Sequence, residues 1–478
     1  MTHEECLARA ERELAASAAE VVDTFRLHYH FMPPAQWMND PNGLVYFEGY
    51  YHVFYQHHPF GSAWGPMYWG HARSRDLITS EHLPIALAPS EDYDAAGCFS
   101  GSAVEAEGVL HLFYTGVREK GGQLVQVQCR ATSTDGIHFE KDPSNPLIGE
   151  PPSDGSVDFR DPKVWRHGGR WYMAVGSGKD GGGRVLLYRS DNLSSWDYMG
   201  VLAESDGTQG SMWECPDVFP LGSKHVLLVS PMGTRGRRVI YFLGEMDYEA
   251  GRFTPESWGE LDKGPDFYAS QTFYGTERRI LLAWMQSWEG RIPTQEHRWA
   301  GALTLPRELA LDPAGRLRVY PAAEAAGLRI ELLAADALVL NGETAALPPC
   351  DLRSSGVELV LGADGAAVSG GELAIRFKDM GSGEWVTVGI RGQRLYLDTR
   401  AAAWGERGSY SSGLAPEQRS QEVRIFLDRS SLEVFGEGEA ACITARIYPP
   451  SGVLEAELSS QGGPLKVDLA MWKLQARS

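Results

Sequence analysis

The sequence predicts an all-β protein in which a five-bladed β-propeller is followed by a C-terminal β-sandwich and preceded by a short N-terminal helix. Three observations lead to this prediction. The chain of 478 residues contains 54 glycines and 27 prolines, which indicates many turns. Helical periodicity nearly disappears after the N-terminus. Strand–turn–strand segments recur roughly every 55–60 residues, a spacing that indicates a repeat architecture.

The N-terminal segment, residues 1–25, is expected to be helical from about His3 to Val22, because apolar and alanine residues recur there at helical spacing. Its acidic residues and the lack of a long apolar run argue against a signal peptide or a membrane span. Six scattered cysteines without a C-x-x-C pair indicate a reducing compartment rather than disulfides or a zinc site. We therefore expect a cytoplasmic protein.

Residues 26–320 contain five segments that each combine a strand, a tight turn and a second strand rich in aromatic and β-branched residues. They are Leu44–Tyr55, Ala103–Tyr114, Val164–Val175, Val218–Val229 and Phe273–Trp284. Two hairpins per unit would form a four-stranded blade, so five units predict a five-bladed propeller. A large β-sandwich whose strand spacing only looks periodic stays open as the alternative.

Residues 321–335 are expected to be a linker, because alanine-rich, helical character at Ala322–Leu333 follows the last repeat. Alternating apolar and polar residues then resume, which predicts a β-sandwich over residues 336–478. The formal net charge of −19 repels phosphate backbones and anionic lipids, so neither nucleic acid nor a membrane is an expected partner. A small-molecule partner fits better, and a homo-oligomer stays open.

Three predicted blades carry an acid followed directly, or after one residue, by proline at equivalent positions: Asp40, Asp161 and Glu214. The first strand of each blade lines the central channel, so these acids are expected to converge at one mouth. Proline restricts the residue before it to extended geometry, which would give Asp40 and Asp161 a defined direction. Unequal environments would keep one acid protonated and another ionised, as a glycosidase requires. The alternative is that each acid merely begins a turn.

Aromatic and neutral polar residues cluster around the same predicted strands, which suits a polyhydroxylated ring. These residues are Trp37, Trp64, Trp69, Phe99, Trp213, Tyr268 and Trp288, with Asn39, Gln56 and Ser100. Each aromatic residue taken alone is better explained as part of the core.

The segments WMNDPNG (Trp37–Gly43), FRDP (Phe159–Pro162) and ECPD (Glu214–Asp217) resemble the three hallmark motifs of the β-fructofuranosidase family of glycoside hydrolases. This family includes invertases, sucrose-6-phosphate hydrolases and fructan hydrolases. The resemblance extends from about Arg26 to Pro449 and implies a five-bladed propeller followed by a sandwich.

The resemblance also implies roles for individual residues. Asp40 would be the nucleophile, Glu214 the general acid/base, and Asp161 a transition-state stabiliser. The residues expected to contact substrate are Trp37, Asn39, Gln56, Trp64, Phe99, Ser100, Arg160, Tyr268 and Trp288. Gln36 departs from the family pattern, because glycine is frequent before the first motif.

The expected reaction is a retaining hydrolysis of a terminal β-fructofuranosyl unit, from sucrose or sucrose 6-phosphate. No metal or organic cofactor is expected, and strand alternation or loop polarity explains His28, His30 and the pair His57-His58 better than metal binding does. Arg160 is expected to keep the neighbouring Asp161 ionised.

Several alternatives stay open. A fructan exo-hydrolase, a fructosyltransferase and a non-catalytic carbohydrate-binding propeller all share these motifs or this fold. A substrate phosphate would need a basic pocket, and the run Arg235, Arg237 and Arg238 is as well explained by a solvated loop.

Overall fold

The computed structural model describes residues 1–234, 236, 238–364, 370–415 and 420–475. Its regular structure is almost entirely β. The helices of the described chain are α1 (His3–Ala18) and two short 3-10 helices, Pro293–His297 and Ala323–Leu328. The predicted all-β class is therefore confirmed.

Helix α1 begins with a capping box, in which Thr2 Oγ1 accepts from the Glu5 amide at 3.2 Å and Glu5 Oε2 accepts from the Thr2 amide at 2.9 Å. The helix ends before the expected Val22, whose amide instead donates to the carbonyl of His297. Ser17 near its end accepts from Nε2 of Gln36 at 2.7 Å. Gln36 has φ of 65°, which explains why glycine suits this position, and its bond to Ser17 holds the non-glycine residue there.

The strands up to residue 321 are grouped into five sheets. They are β1 (Gln36–Phe47), β2 (Tyr50–His58), β3 (Tyr68–Ser74), β4 (Ser80–Leu87), β5 (Gly97–Ala106), β6 (Val109–Lys120), β7 (Gln123–Ser133), β8 (Glu140–Lys141), β9 (Phe159–His167), β10 (Arg170–Lys179), β11 (Gly182–Ser190), β12 (Asp197–Glu204), β13 (Met212–Leu221), β14 (Lys224–Met232), β15 (Ile240–Asp247), β16 (Arg252–Glu260), β17 (Tyr268–Thr272), β18 (Arg279–Trp284), β19 (Trp299–Ala300), β20 (Arg307–Leu311) and β21 (Leu317–Pro321).

Four sheets contain antiparallel meanders of consecutive strands, β1 to β4, β5 to β8, β9 to β12 and β13 to β16, and the fifth sheet consists of β17, β18, β20 and β21. The first strands form a closed cycle of contacts, in which β1 contacts β5, β5 contacts β9, β9 contacts β13, β13 contacts β17, and β17 contacts β1. In addition β19, from the last unit, pairs in parallel with β1. The end of this five-sheet region is thereby joined to its first sheet.

The cores of this part lie between neighbouring sheets. One cluster joins residues of the first two sheets, such as Phe54 and Tyr114, and another joins the third and fourth sheets, with Trp165 and Trp213. Faces of adjacent sheets bury each other's apolar side chains, so the sheets are held side by side around their first strands.

The remaining strands form two six-stranded sheets. They are β22 (Arg329–Leu340), β23 (Thr344–Asp351), β24 (Gly356–Asp364), β25 (Glu372–Asp379), β26 (Trp385–Arg391), β27 (Arg394–Asp398), β28 (Ser409–Gly413), β29 (Ser420–Asp428), β30 (Ser431–Gly436), β31 (Cys442–Arg446), β32 (Val453–Gln461) and β33 (Leu465–Leu474). The sheet orders are β22-β33-β24-β29-β30-β31 and β23-β32-β25-β26-β27-β28. One apolar cluster fills the space between the sheets, as in a sandwich.

The segment expected to be a linker is more ordered than the sequence suggested. The 3-10 helix Ala323–Leu328 occupies its first part, and β22 begins at Arg329, before the expected start of the sandwich. This strand lies at the edge of its sheet and exposes apolar residues such as Ile330 and Leu332. Apolar and polar residues therefore do not alternate cleanly along this strand, and for this reason the alanine-rich stretch has a helical pattern in the sequence.

Candidate active site

The three acids lie near the start of the first strands of three sheets, and each is at or next to an irregularity in strand pairing. The register shifts lie between Met38 and Pro41 in β1, opposite Asp161 and Pro162 in β9, and between Glu214 and Asp217 in β13. Proline cannot donate to the ladder, so a β-bulge forms and redirects the neighbouring side chains. β5 and β17 have shifts beside Ser100 and Ala269 at the equivalent level.

Asn39 and Ser100 donate to the two oxygens of Asp40. Its Oδ1 accepts from Nδ2 of Asn39 at 3.0 Å, and its Oδ2 accepts from the hydroxyl of Ser100 at 2.6 Å. Trp37 Nε1 donates to Oδ1 of Asn39 at 2.7 Å and fixes that amide. Burial, together with repulsion from Glu214, raises the pKa of Asp40 to about 6, although Ser100 and Asn39 favour the ionised form.

Asp161 has φ of 65°, so the expectation that Pro162 holds it in extended geometry is wrong, because it lies in the irregular part of the strand pairing. Its direction is fixed instead by the bond that its Oδ2 accepts from the Cys215 amide at 2.9 Å. Its own amide donates to Oγ1 of Thr115 at 3.0 Å. Burial raises the pKa of Asp161 to about 7, against the opposing effect of Arg160, and repulsion from Glu214 and Asp40 adds to the increase. Arg160 lowers the pKa of Asp161, as expected, but desolvation outweighs this attraction and the net shift is upward.

Arg160 is directed at Glu214 instead. Its Nε donates to Oε1 of Glu214 at 3.0 Å, and its Nη2 lies 2.9 Å from the same oxygen. Tyr268 donates from its hydroxyl to the other oxygen, Oε2, at 2.6 Å. Arg160 also donates from Nη1 to Asp158 at 2.7 Å. Both oxygens of Glu214 are thus fixed, each by a different neighbour.

Cys215 lies between the carboxylates. Its Sγ is 3.7 Å from Oδ2 of Asp40 and 3.6 Å from Oδ2 of Asp161. Burial, and the three acids around it, raise the pKa of this thiol well above its usual value. The thiol is therefore a neutral donor rather than a nucleophile. Its contacts bring Asp40 and Asp161 next to the residue that follows Glu214.

The aromatic residues fall into two groups. Trp64 and Trp288 are exposed, at 51% and 50%, and each contacts a further predicted residue. Trp288 stacks on Trp37 with ring centroids 6.0 Å apart, and Trp64 meets Phe99 edge to face at 6.1 Å. Trp69 and Trp213 are fully buried and belong to the core.

Gln56 is also buried, and its Nε2 donates to the Cys98 carbonyl at 3.0 Å, next to Phe99 and Ser100. The structure therefore brings Asn39, Ser100, Arg160 and Tyr268 into contact with the acids. Gln56 instead binds the backbone beside them.

Two supporting residues were not identified from the sequence. Asp158 stands two positions before Arg160, and this spacing in an extended chain was the signal that could have identified it. Thr115 comes from the second strand of another sheet and gave no signal, because its contact with Asp161 depends on how the sheets pack.

The four histidines considered for metal binding have partners within the protein. His30 lies 2.8 Å from both Asp428 and Glu433, and His28 contacts the Leu352 carbonyl. His57 and His58 contact the carbonyls of Trp37 and Ala63. Within the described ranges, no group of three His, Cys, Asp or Glu side chains is arranged to hold a metal ion.

The two remaining features are the arginine run and the helices. Arg235 and Arg237 lie outside the described residues, whereas Arg238 contacts Glu289 at 3.1 Å. In the part of the chain that is described, no helix has the length and apolar character needed to cross a membrane.

Known proteins resemble this chain in both sequence and structure. Residues 30–321 match the family described as Glycosyl hydrolases family 32 N-terminal domain, and residues 368–473 match Glycosyl hydrolases family 32 C terminal. A sucrose-6-phosphate hydrolase from Escherichia coli is 40% identical over 495 residues, which covers 97% of this chain and 98% of that protein. A raffinose invertase from Escherichia coli is 39% identical, with coverage of 98% and 99%.

Among solved structures, a β-fructofuranosidase from Bombyx mori has a TM-score of 0.87 and 34% identity, and the match covers 99% of each chain. A mutant of the Bombyx mori protein has been solved in complex with sucrose, with the same degree of similarity.

Proposed function

This chain belongs to glycosyl hydrolase family 32, and on that premise we propose that it releases fructose from sucrose or sucrose 6-phosphate through Asp40, Glu214 and Asp161. The protein is a retaining glycoside hydrolase of the β-fructofuranosidase family. The observation that carries the residue assignment is that Cys215, the residue after Glu214, contacts both Asp40 and Asp161.

In the first step, the carboxylate of Asp40 attacks the anomeric carbon of the fructosyl unit. The bond to the leaving oxygen breaks, and Glu214 donates its proton to that oxygen. Asn39 and Ser100 hold the two oxygens of Asp40, so the nucleophile has a fixed direction of attack. The product of this step is a fructosyl ester of Asp40 and a free glucose or glucose phosphate.

In the second step, water attacks the anomeric carbon and Glu214 takes its proton, which releases fructose and restores Asp40. The charge of Asp40 is absent from the ester, so its repulsion of an ionised Glu214 is removed during this step. Asp161 accepts hydrogen bonds from fructosyl hydroxyls in this scheme. Arg160 and Tyr268 orient Glu214 throughout.

We also propose that the five sheets are the blades of a propeller spanning residues 26–320. The closed cycle of contacts between first strands, and the parallel pairing of β19 with β1, support this arrangement. A propeller brings the starts of its first strands to one mouth, where the three acids lie.

The proposed setting is the cytoplasm, where both sugars would be accessible as small molecules. All six cysteines are free, five of them buried and Cys215 partly so, which fits a reducing compartment.

The test is the release of fructose together with glucose from sucrose, or with glucose 6-phosphate from sucrose 6-phosphate, by the wild type, Asp40→Ala and Glu214→Ala. We expect equal release of both products by the wild type and a loss of several orders of magnitude in each variant. The ratio of kcat/KM for the two sugars identifies the preferred substrate. Fructose that trails glucose would instead indicate transfer, and no release by folded wild type would favour a fructan substrate or a binding module.

A further inference from the structure

The sandwich lies directly against the chain segment that leads into Tyr268. Residues 262–266 precede β17, and their backbone groups bond to β31 of the sandwich. The Lys263 amide donates to the Cys442 carbonyl at 2.9 Å, and the Asp266 amide donates to the Thr444 carbonyl at 3.2 Å. β31 is the edge strand of its sheet, so these bonds use backbone groups that point away from the rest of that sheet.

Two aspartates of this segment accept hydrogen bonds from backbone amides of β31. Asp262 Oδ1 accepts from the Thr444 amide at 3.0 Å, and Asp266 Oδ2 accepts from the Arg446 amide at 2.7 Å. Asp262 and Asp266 are both 2% exposed. We call Asp262, Asp266, Thr444 and the Arg446 amide the interdomain clamp.

The approach of the two chain segments at the clamp is very close. A Cβ atom on Gly264 would lie 1.9 Å from the Thr444 carbonyl oxygen and 2.3 Å from its nitrogen. Any side chain here would push the segment away from β31. A glycine between the two aspartates therefore sets the separation.

A buried charged network fixes the clamp further. Asp262 Oδ2 accepts from Nη1 of Arg307 at 2.7 Å and from the hydroxyl of Thr444 at 2.6 Å. The other arm of Arg307 donates to Glu433 of the sandwich at 2.6 Å. Arg307 also lies over the ring of Phe267, 4.6 Å from its centroid. The residue next to Tyr268 is thus held by the same arginine.

We propose that the sandwich positions the catalytic acid/base, with Asp266 and Thr444 as positioning residues that act on Glu214 through Tyr268. Tyr268 follows Asp266 by two residues and donates to Oε2 of Glu214 at 2.6 Å. A displacement of the clamp moves this hydroxyl, and displacements of about 1 Å can reduce rates about 100-fold. This inference rests on the proposed role of Glu214, and it gives the second domain a part in catalysis.

The test compares Asp266→Ala with Asp266→Asn, Tyr268→Phe and the double variant Asp266→Ala/Tyr268→Phe. Asparagine in place of Asp266 keeps an oxygen that accepts from the Arg446 amide, whereas alanine does not. We expect Asp266→Ala to lower kcat for sucrose about 10- to 100-fold with KM within about threefold. Asp266→Asn should recover most of that loss. Because both residues act along one route, the double variant should be within about twofold of Tyr268→Phe.

An activated donor separates positioning from loss of stability. With β-fructosyl fluoride, whose leaving group needs little protonation, the defect of Asp266→Ala in kcat/KM, which reports formation of the ester, should shrink to within about threefold. Asp379→Ala is the matched control, since Asp379 is a buried sandwich aspartate that also accepts from backbone amides, those of Gly381, Ser382 and Ser451. This control should lose stability while keeping kcat. If Asp266→Ala does not fold, Thr444→Val applies the same comparison from the sandwich side.

The outcomes are distinct. A raised KM with unchanged kcat in Asp266→Ala would identify Asp266 as a substrate contact and overturn the inference. Additive losses of kcat in the double variant would also overturn it. So would a loss of kcat in Asp379→Ala equal to that in Asp266→Ala. An active wild type with an unaffected Asp266→Ala refutes only this inference. A folded wild type that releases no fructose from any of the three donors refutes the proposed function and this inference with it.

Discussion

Arg160 donates from Nε to Oε1 of Glu214 at 3.0 Å, and its Nη2 lies 2.9 Å from the same oxygen. Two nitrogens of one planar group therefore fix one oxygen, a geometry that lysine cannot reproduce. We expect Arg160→Lys to lower kcat/KM for sucrose about 10- to 100-fold, since a charge-assisted contact contributes about 1.5–3 kcal/mol. Arg170→Lys is the control, because Arg170 pairs with Asp191 on the surface. Unchanged kinetics for Arg160→Lys would contradict the assigned contact.

Ser100 affects the pH dependence through Asp40. Burial raises the pKa of Asp40 to about 6, and the Ser100 hydroxyl opposes this by favouring the ionised form. The nucleophile must be ionised, so activity falls as the pH drops through this value. Ser100→Ala should raise the pKa of Asp40 and move the acidic limb of kcat/KM upward by roughly 0.5–1 unit.

The measurement is kcat/KM for sucrose across the acidic range, for the wild type, Ser100→Ala and Ser133→Ala. Ser133 also donates to a carboxylate, that of Asp135, but away from the site. Its variant should leave the limb unchanged. A limb that moves to lower pH in Ser100→Ala would show that Asp40 is not the group that titrates.

The raised pKa of Asp40 also lowers the stability of the protein. The folded pKa of about 6 exceeds the ordinary 3.8, so the folded state binds the proton more tightly than the unfolded chain does. The contribution of this group to the free energy of unfolding therefore decreases as the pH rises from about 4 to 6, and at pH 7 the whole destabilising effect of Asp40 is present. Asp40→Asn should raise the free energy of unfolding at pH 7 by about 1–3 kcal/mol.

Urea unfolding at several pH values tests this expectation. The gain in Asp40→Asn should shrink as the pH falls below 6. Asp312→Asn should instead lower the free energy of unfolding at pH 7, because amide and guanidinium donors of Arg316 help to lower the pKa of Asp312. A variant at Asp40 that is less stable than the wild type at pH 7 would contradict the account.

Trp288 is expected to contribute to substrate binding rather than to bond cleavage. It is half exposed and stacks on Trp37, which fixes Asn39 next to the nucleophile. Trp288→Ala should raise KM for sucrose about tenfold and leave kcat within about threefold. The control is Trp385→Ala, at an exposed tryptophan of the sandwich. Equal KM values for the two variants would remove Trp288 from the binding site.

Local patterns in the sequence were sufficient for much of the fold. The hairpin around Gly49, for example, is visible as two apolar strands with a turn between them, and β1 and β2 lie there. The acids were located for the same reason, because proline in a strand is a local signal. Asp40, Asp161 and Glu214 all lie at or beside the bulges that such prolines produce.

Contacts between sheets could not be predicted in this way. Arg160 and Asp161 are adjacent in sequence, yet Arg160 reaches Glu214 and Asp158, whereas Asp161, with φ of 65°, accepts from the Cys215 amide. The bond of Asp262 to Thr444 joins two domains far apart in the chain. Such contacts depend on how complete sheets pack, and no short segment encodes them.

The central claim, that Asp40 and Glu214 form the nucleophile and acid/base pair, is tested most directly by trapping the intermediate. Glu214→Ala should still react with β-fructosyl fluoride, but it lacks the base for hydrolysis, so the ester accumulates. Intact-protein mass spectrometry after rapid quenching should show one added fructosyl group, and peptide mapping should locate it on Asp40. An adduct on Asp161 or on any other residue would contradict the account.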